Sequence, residues 1–183
     1  LTDHKGHRYL LDAFTDLLKS KPQSLLALAG DGDLTTQLKQ QAESLGISNR
    51  VRFLGFRNDV PDLMAACDLF VISSHMEGLC TSIIDAMIAE RPIVATRAGG
   101  IPDLTGETFE PEEKPVVWMA EAKNENDLFR ALLEALDAPS EERNSRVQRA
   151  RDRALRLFTS DCMVEKNLAI YRSVLNIKSR KAA

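Results

Sequence analysis

Two carboxylates eight residues apart, Glu77 and Asp85, bracket a run of small and polar residues, Gly78-Leu79-Cys80-Thr81-Ser82. Glu77 falls in a glycine-bearing loop after an apolar run, and Asp85 falls about two turns into the helix that follows. A loop entering a helix presents unpaired backbone N–H groups that attract phosphate, and the Thr81 and Ser82 hydroxyls add donors. The carboxylates can accept hydrogen bonds from sugar hydroxyls. The same residues also describe a capped helix with two solvated acids, and this stretch alone leaves both readings open.

Asp3-His4-Lys5-Gly6-His7 precedes the first helix, so Lys5 brings a positive charge to a helix start, a combination suited to a diphosphate, although a solvated lysine is the more frequent case. Gly99-Gly100 follows a strand and either permits close approach of a ligand to the backbone or makes a tight turn; Gly30-Asp31-Gly32 allows the same two readings. Asp31-Gly32-Asp33 matches an Asp-x-Asp metal motif superficially, but its place between strand and helix reads as a turn plus a cap by Asp33, and no metal site is expected. His4, His7 and His75 are scattered, although His75 stands near Glu77 and is a candidate to line a cleft. Cys80 has no activating base nearby.

These residues are positioned by alternating elements. Helices are expected over 7–19, about a dozen residues after Asp33 closed by Gly46, 59–66, 81–89, 124–136, 140–158 and 160–175. Short apolar strands are expected over 24–29, 51–54, 69–72, 93–95 and 116–119. Continuous apolar strands separated by helices indicate an α/β fold, a doubly wound parallel sheet with helices on both faces. Its ligand belongs at the carboxyl ends of the strands, where the loops 30–33, 55–58, 73–82 and 96–100 lie.

With 183 residues, 44% of them hydrophobic, the chain suits one domain with a buried core. A net charge of −3 and 5% aromatics argue against a nucleic-acid partner. Three widely spaced cysteines without a CxxC pair point to a reducing, cytoplasmic setting, and no apolar run is long enough to span a bilayer. Arg143, Arg146, Arg149, Arg151, Arg153 and Arg156 crowd one helix. Their basic face admits contact with an anionic membrane surface, although a solvated face diluted by Glu141, Glu142 and Asp152 is the simpler expectation.

Taken in order, the Lys5-Gly6 segment, Ala29-Gly30-Asp31-Gly32, Val51-Arg52-Phe53-Leu54-Gly55, Ala66-Cys67-Asp68-Leu69-Phe70-Val71, Glu77-Gly78-Leu79, Asp85-Ala86-Met87, Arg91-Pro92-Ile93-Val94-Ala95-Thr96 and Gly99-Gly100-Ile101-Pro102-Asp103 resemble the C-terminal domain of GT-B-fold glycosyltransferases of the retaining family four. The resemblance covers roughly the first hundred residues. It implies that Lys5 contacts a donor diphosphate and Glu77 the donor sugar, these two forming the catalytic pair. It implies donor contacts around Gly32, base contacts at Gly55 and Phe56, and sugar and phosphate contacts along Gly78, Leu79, Cys80, Thr81 and Ser82. Asp85 takes the place of the second acid of the family's Glu-x7-Glu motif, which holds ribose; aspartate is one methylene shorter than the usual glutamate.

Two further departures stand out. The family's Arg ahead of the Lys, at the end of a first strand, would precede Leu1, and the segment 105–115 is acidic and proline-bearing rather than glycine-rich. The resemblance implies a nucleotide diphosphate sugar as donor substrate, no cofactor, retention at the anomeric carbon, and an acceptor domain N-terminal to this one. On this reading residues 1–183 are one nucleotide-sugar-binding domain, a fragment without its first strand and acceptor domain, inactive alone, with C-terminal helices over 140–175. A role in polysaccharide biosynthesis follows from the same likeness. The competing readings are a nucleotide-sugar 2-epimerase half-domain, a noncatalytic nucleotide-binding module, and, last, a dinucleotide-binding dehydrogenase domain, which lacks its GxGxxG here.

Overall fold

A computed structural model describes residues 1–108 and 114–181, with side-chain surroundings given up to residue 175. Its elements run α1 (His7–Ser20), β1 (Leu26–Ala29), α2 (Thr35–Ser44), β2 (Val51–Gly55), α3 (Val60–Ala66), β3 (Phe70–Ile72), α4 (Thr81–Ile88), β4 (Ile93–Thr96), α5 (Ile101–Thr105), β5 (Trp118–Ala120), α6 (Glu125–Asp137), α7 (Ser140–Leu157) and α8 (Ser160–Lys181). All strand pairs are parallel, as the alternating pattern requires. They form two sheets, β1-β2 and β3-β4-β5, rather than one.

Helices cover both faces. Along β4 and the run into β5, Val94, Trp118 and Ala120 join one cluster of buried residues, while Ile93, Ala95, Val117 and Met119 join another. Successive strand residues point to opposite faces, so each strand feeds both cores. Leu10, Leu11, Phe14 and Leu17 of α1 meet Leu128, Ala131, Leu132 and Ala135 of α6 in the first cluster. Ile83 and Met87 of α4 meet Ala150 and Ala154 of α7 in the second. Each large side chain so buried contributes about 1.5–3 kcal/mol.

Several expectations change in detail. Asp33 does not cap α2; Leu34 holds the cap position without a side-chain bond. The neighbouring Asp31 carboxylate instead accepts from the Gly32 amide at 2.8 Å and the Thr35 hydroxyl at 3.2 Å, closing the turn one step earlier and leaving a ten-residue helix. The last strand is shifted to Trp118–Ala120, and α5, unforeseen, follows Gly100. Of the acidic segment 105–115, residues 109–113 lie outside the described residues.

Three of the six α7 arginines, Arg146, Arg149 and Arg153, turn to carbonyls of the fold rather than standing in one solvated basic face. Arg153 is buried and donates to the carbonyls of Leu104 and Asp103. Arg146 stacks over the Trp118 ring at 4.0 Å and donates to the Val117 carbonyl, and Arg149 donates to the Pro115 carbonyl. A guanidinium has five donors in a planar fork, so one side chain can close several carbonyls that no helix or strand satisfies. Arg151 pairs with Glu90, while Arg156 is exposed. Beyond α7, helix α8 exposes Met163, Val164, Leu168, Ile170, Tyr171, Val174 and Leu175. Among the described residues no helix is long and apolar enough to cross a membrane.

Candidate functional site

Three segments meet where the strands end. Residues 3–6 lie along the stretch after β3: the His75 amide donates to the His4 carbonyl at 2.8 Å, and the Ser73 hydroxyl donates to the Lys5 carbonyl at 2.9 Å. Gly6 has φ +65°, and a Cβ there would lie 2.0 Å from the Ser73 carbonyl oxygen. Only glycine permits this approach.

The second seam joins the same loop to the turn after β4. The Gly100 amide donates to the Gly78 carbonyl at 3.0 Å. A Cβ on Gly99, whose φ is +53°, would lie 1.7 Å from the Glu77 carbonyl oxygen. Glu77 is therefore held from both sides by backbone contacts.

Into this junction Lys5 sends its ammonium, 2.7 Å from Glu77 Oε1, and the Ser74 hydroxyl donates to the same oxygen at 2.7 Å. Burial pushes the Glu77 carboxyl pKa up, but the bonds from Lys5 and Ser74 outweigh it, and the net shift is downward. Glu77 is thus an ionised, oriented acceptor. His7, at the start of α1, has its pKa pushed down to about 4, chiefly by burial and then by the positive charges of the chain's amino terminus and Lys5. Among the described residues its buried Nδ1 has no hydrogen-bond partner.

The other sequence-derived positions distribute as follows. Gly78 lies in the seam and Leu79 is exposed. Cys80 is buried, its Sγ 3.3 Å from the Ser82 hydroxyl, and burial raises its thiol pKa, which disfavours the thiolate. The Thr81 amide is taken by the Leu79 carbonyl at 3.0 Å. Asp85 is exposed on the second turn of α4. Gly32 packs against Leu1, whose carbonyl accepts from the Leu34 amide, and Gly55 accepts from the Gly30 amide, joining the loops after β1 and β2. Phe56 stands beside Gly55, 77% exposed. His75 pairs its ring with Asp3 at 3.2 Å. Two contributors carry no role from the sequence alone: Ser74, although the spacing Ser-x-x-Glu is a signal, and Thr96, although it closes the Arg91–Thr96 run.

Residues 1–153 match the family model described as glycosyl transferases group 1. The chain is 36% identical over 111 residues to mannosylfructose-phosphate synthase of Agrobacterium fabrum, covering 55% of this chain and 24% of that protein. It is 28% identical over 166 residues to N-acetyl-alpha-D-glucosaminyl L-malate synthase of Bacillus anthracis, covering 91% and 42%. Among solved structures, Anabaena HepE in complex with UDP and glucose superposes with a TM-score of 0.79 at 29% identity, covering 96% of this chain and 46% of that one. Sucrose-phosphate synthase of Thermosynechococcus elongatus shares the fold, with a TM-score of 0.79 at 21% identity, covering 96% and 44%. The chain spans less than half the length of these proteins.

Proposed function

Because the chain belongs to the group 1 glycosyl transferases, we propose that it is the donor-binding half of a retaining, metal-independent glycosyltransferase that moves a sugar from a nucleotide diphosphate sugar to an acceptor. The observation that carries this reading is the meeting of Lys5 and Glu77 at the carboxyl ends of parallel strands, a cation and an oriented carboxylate within 2.7 Å. HepE, similar over nearly all of this chain, is described with UDP and with UDP-glucose. In transfer through an oxocarbenium-like transition state, negative charge grows on the departing phosphate. Lys5 and the N-terminus of α4 would stabilise that charge, and Glu77 would orient the sugar.

Two structural features support a larger protein around this half. Strands β1 and β3 belong to separate sheets, and residues 1–6 run from the end of one to the end of the other. A parallel strand ahead of Leu1 would join them. The exposed apolar face of α8 supplies a surface for an N-terminal acceptor domain.

Calorimetric titration with UDP, GDP, ADP and NAD, with and without magnesium, tests the reading on this chain and on the full-length protein. Magnesium-independent binding of one nucleoside diphosphate, weakened at least tenfold by Lys5→Ala, is expected. Binding of NAD alone, or of no nucleotide by the full-length protein, would sink it. Retention is tested by the anomeric configuration of the product.

A further inference from the structure

Glu77 Oε1 carries both of the carboxylate's side-chain bonds, one from Lys5 and one from Ser74. Among the described residues, Oε2 receives none. The two donors differ in kind. The Lys5 side chain is 42% exposed on a flexible stem, whereas Ser74 is 1% exposed. Ser74 is itself held from below, because the buried Thr96 hydroxyl at the end of β4 donates to the Ser74 carbonyl and lies 3.4 Å from the Ile72 carbonyl. A hydroxyl sealed from water keeps its bond, since an unmade one costs roughly 1–3 kcal/mol.

We infer that Thr96 and Ser74 are positioning residues, a buried relay that pins Oε1 of Glu77 to the protein and leaves Oε2 to the sugar of the donor. The inference rests on the donor-binding reading above. When a diphosphate draws Lys5 away, Oε1 loses its mobile partner and keeps the fixed one, so Glu77 holds its rotamer at the moment it is needed. Ser74 touches no substrate; it acts through Glu77. Thr96 acts one step further back, through the backbone of Ser74.

The test compares each nucleotide with its sugar conjugate: UDP with UDP-glucose, GDP with GDP-mannose, and ADP with ADP-glucose, titrated into the full-length protein. In wild type the ratio of the affinities for the bound nucleotide and its conjugate sets the reference. Ser74→Ala is expected to weaken the conjugate about tenfold, the scale of one hydrogen bond to a charged group, and the bare nucleotide less than twofold. Thr96→Val should give a smaller loss of the same kind, non-additive with Ser74→Ala, and Thr96→Ser should restore wild-type behaviour. Carbon-13 titration of the Glu77 carboxyl, read without ligand, should move upward in Ser74→Ala.

Equal weakening of nucleotide and conjugate, or an unmoved Glu77 titration, overturns the relay while leaving the donor-binding reading intact. Absence of binding by every nucleotide pair in wild type overturns that reading, and the relay's purpose with it. A drop in the urea midpoint with unchanged conjugate selectivity would show the hydroxyls to be structural only.

Discussion

The Glu77 junction and helix α7 both bury charged groups, and they use them in opposite ways. On α7 the guanidinium of Arg153 is surrounded by the fold's own carbonyls, those of Leu104 and Asp103, and the Gly106 φ of +90° brings that turn against it. At the junction, Glu77 is only half engaged: Oε1 is bonded and, among the described residues, Oε2 is not. Charge met inside the fold holds elements together, whereas charge left partly unsatisfied is available to something from outside.

Breaking the saturated side should cost the most. Arg153→Met removes a buried donor fork and strands two carbonyls, with an expected loss of about 3 kcal/mol in urea unfolding. Lys5→Ala, by contrast, should leave the urea midpoint nearly unchanged, because Ser74 still holds Glu77. If the two variants lost equal stability, the contrast would be wrong.

Acid sharpens it next. The unfolded chain protonates His7 below about pH 6.5, whereas the folded chain resists until about pH 4. Stability should therefore be level above 6.5 and fall on the way down to 4, by at most about 3 kcal/mol. His7→Gln should flatten that slope. A slope unchanged by His7→Gln would place the titration elsewhere.

Gly99→Ala forces a Cβ against the Glu77 carbonyl at a positive φ, and a loss of about 2 kcal/mol together with loss of nucleotide binding is expected. Binding that survived would mean the seam can open without consequence. The smallest effect belongs to Arg151→Ala, which removes an exposed ion pair with Glu90 and should change stability by less than about 0.5 kcal/mol.

What the sequence disclosed follows the range of the interactions. The alternation of helices and apolar strands depends on neighbours in the chain, and α1, α3, α4 and α6 appear within a few residues of where periodicity puts them. Lys5 and Glu77 were legible as candidates through family likeness, and the structure brings them together across 72 positions. The destination of the α7 arginines was not legible, because a basic helix reads the same whether its partners are water or the carbonyls of residues 29 to 50 positions away. Thr96 was silent for the same reason: its acceptors, Ile72 and Ser74, belong to the neighbouring strand and the loop after it. The Asp33 cap failed on a local contest, with Asp31 reaching Thr35 first.

The seam between residues 77–78 and 99–100 is written in peptide groups and missing β-carbons, not in side chains. Its frame is consequently indifferent to what is displayed at position 77. Evolution, or a designer, can exchange the chemical group there while the scaffold stays in register, whereas the two glycines opposite are close to immutable. Variation in chemistry and invariance in architecture are thus assigned to opposite lips of one loop crossing.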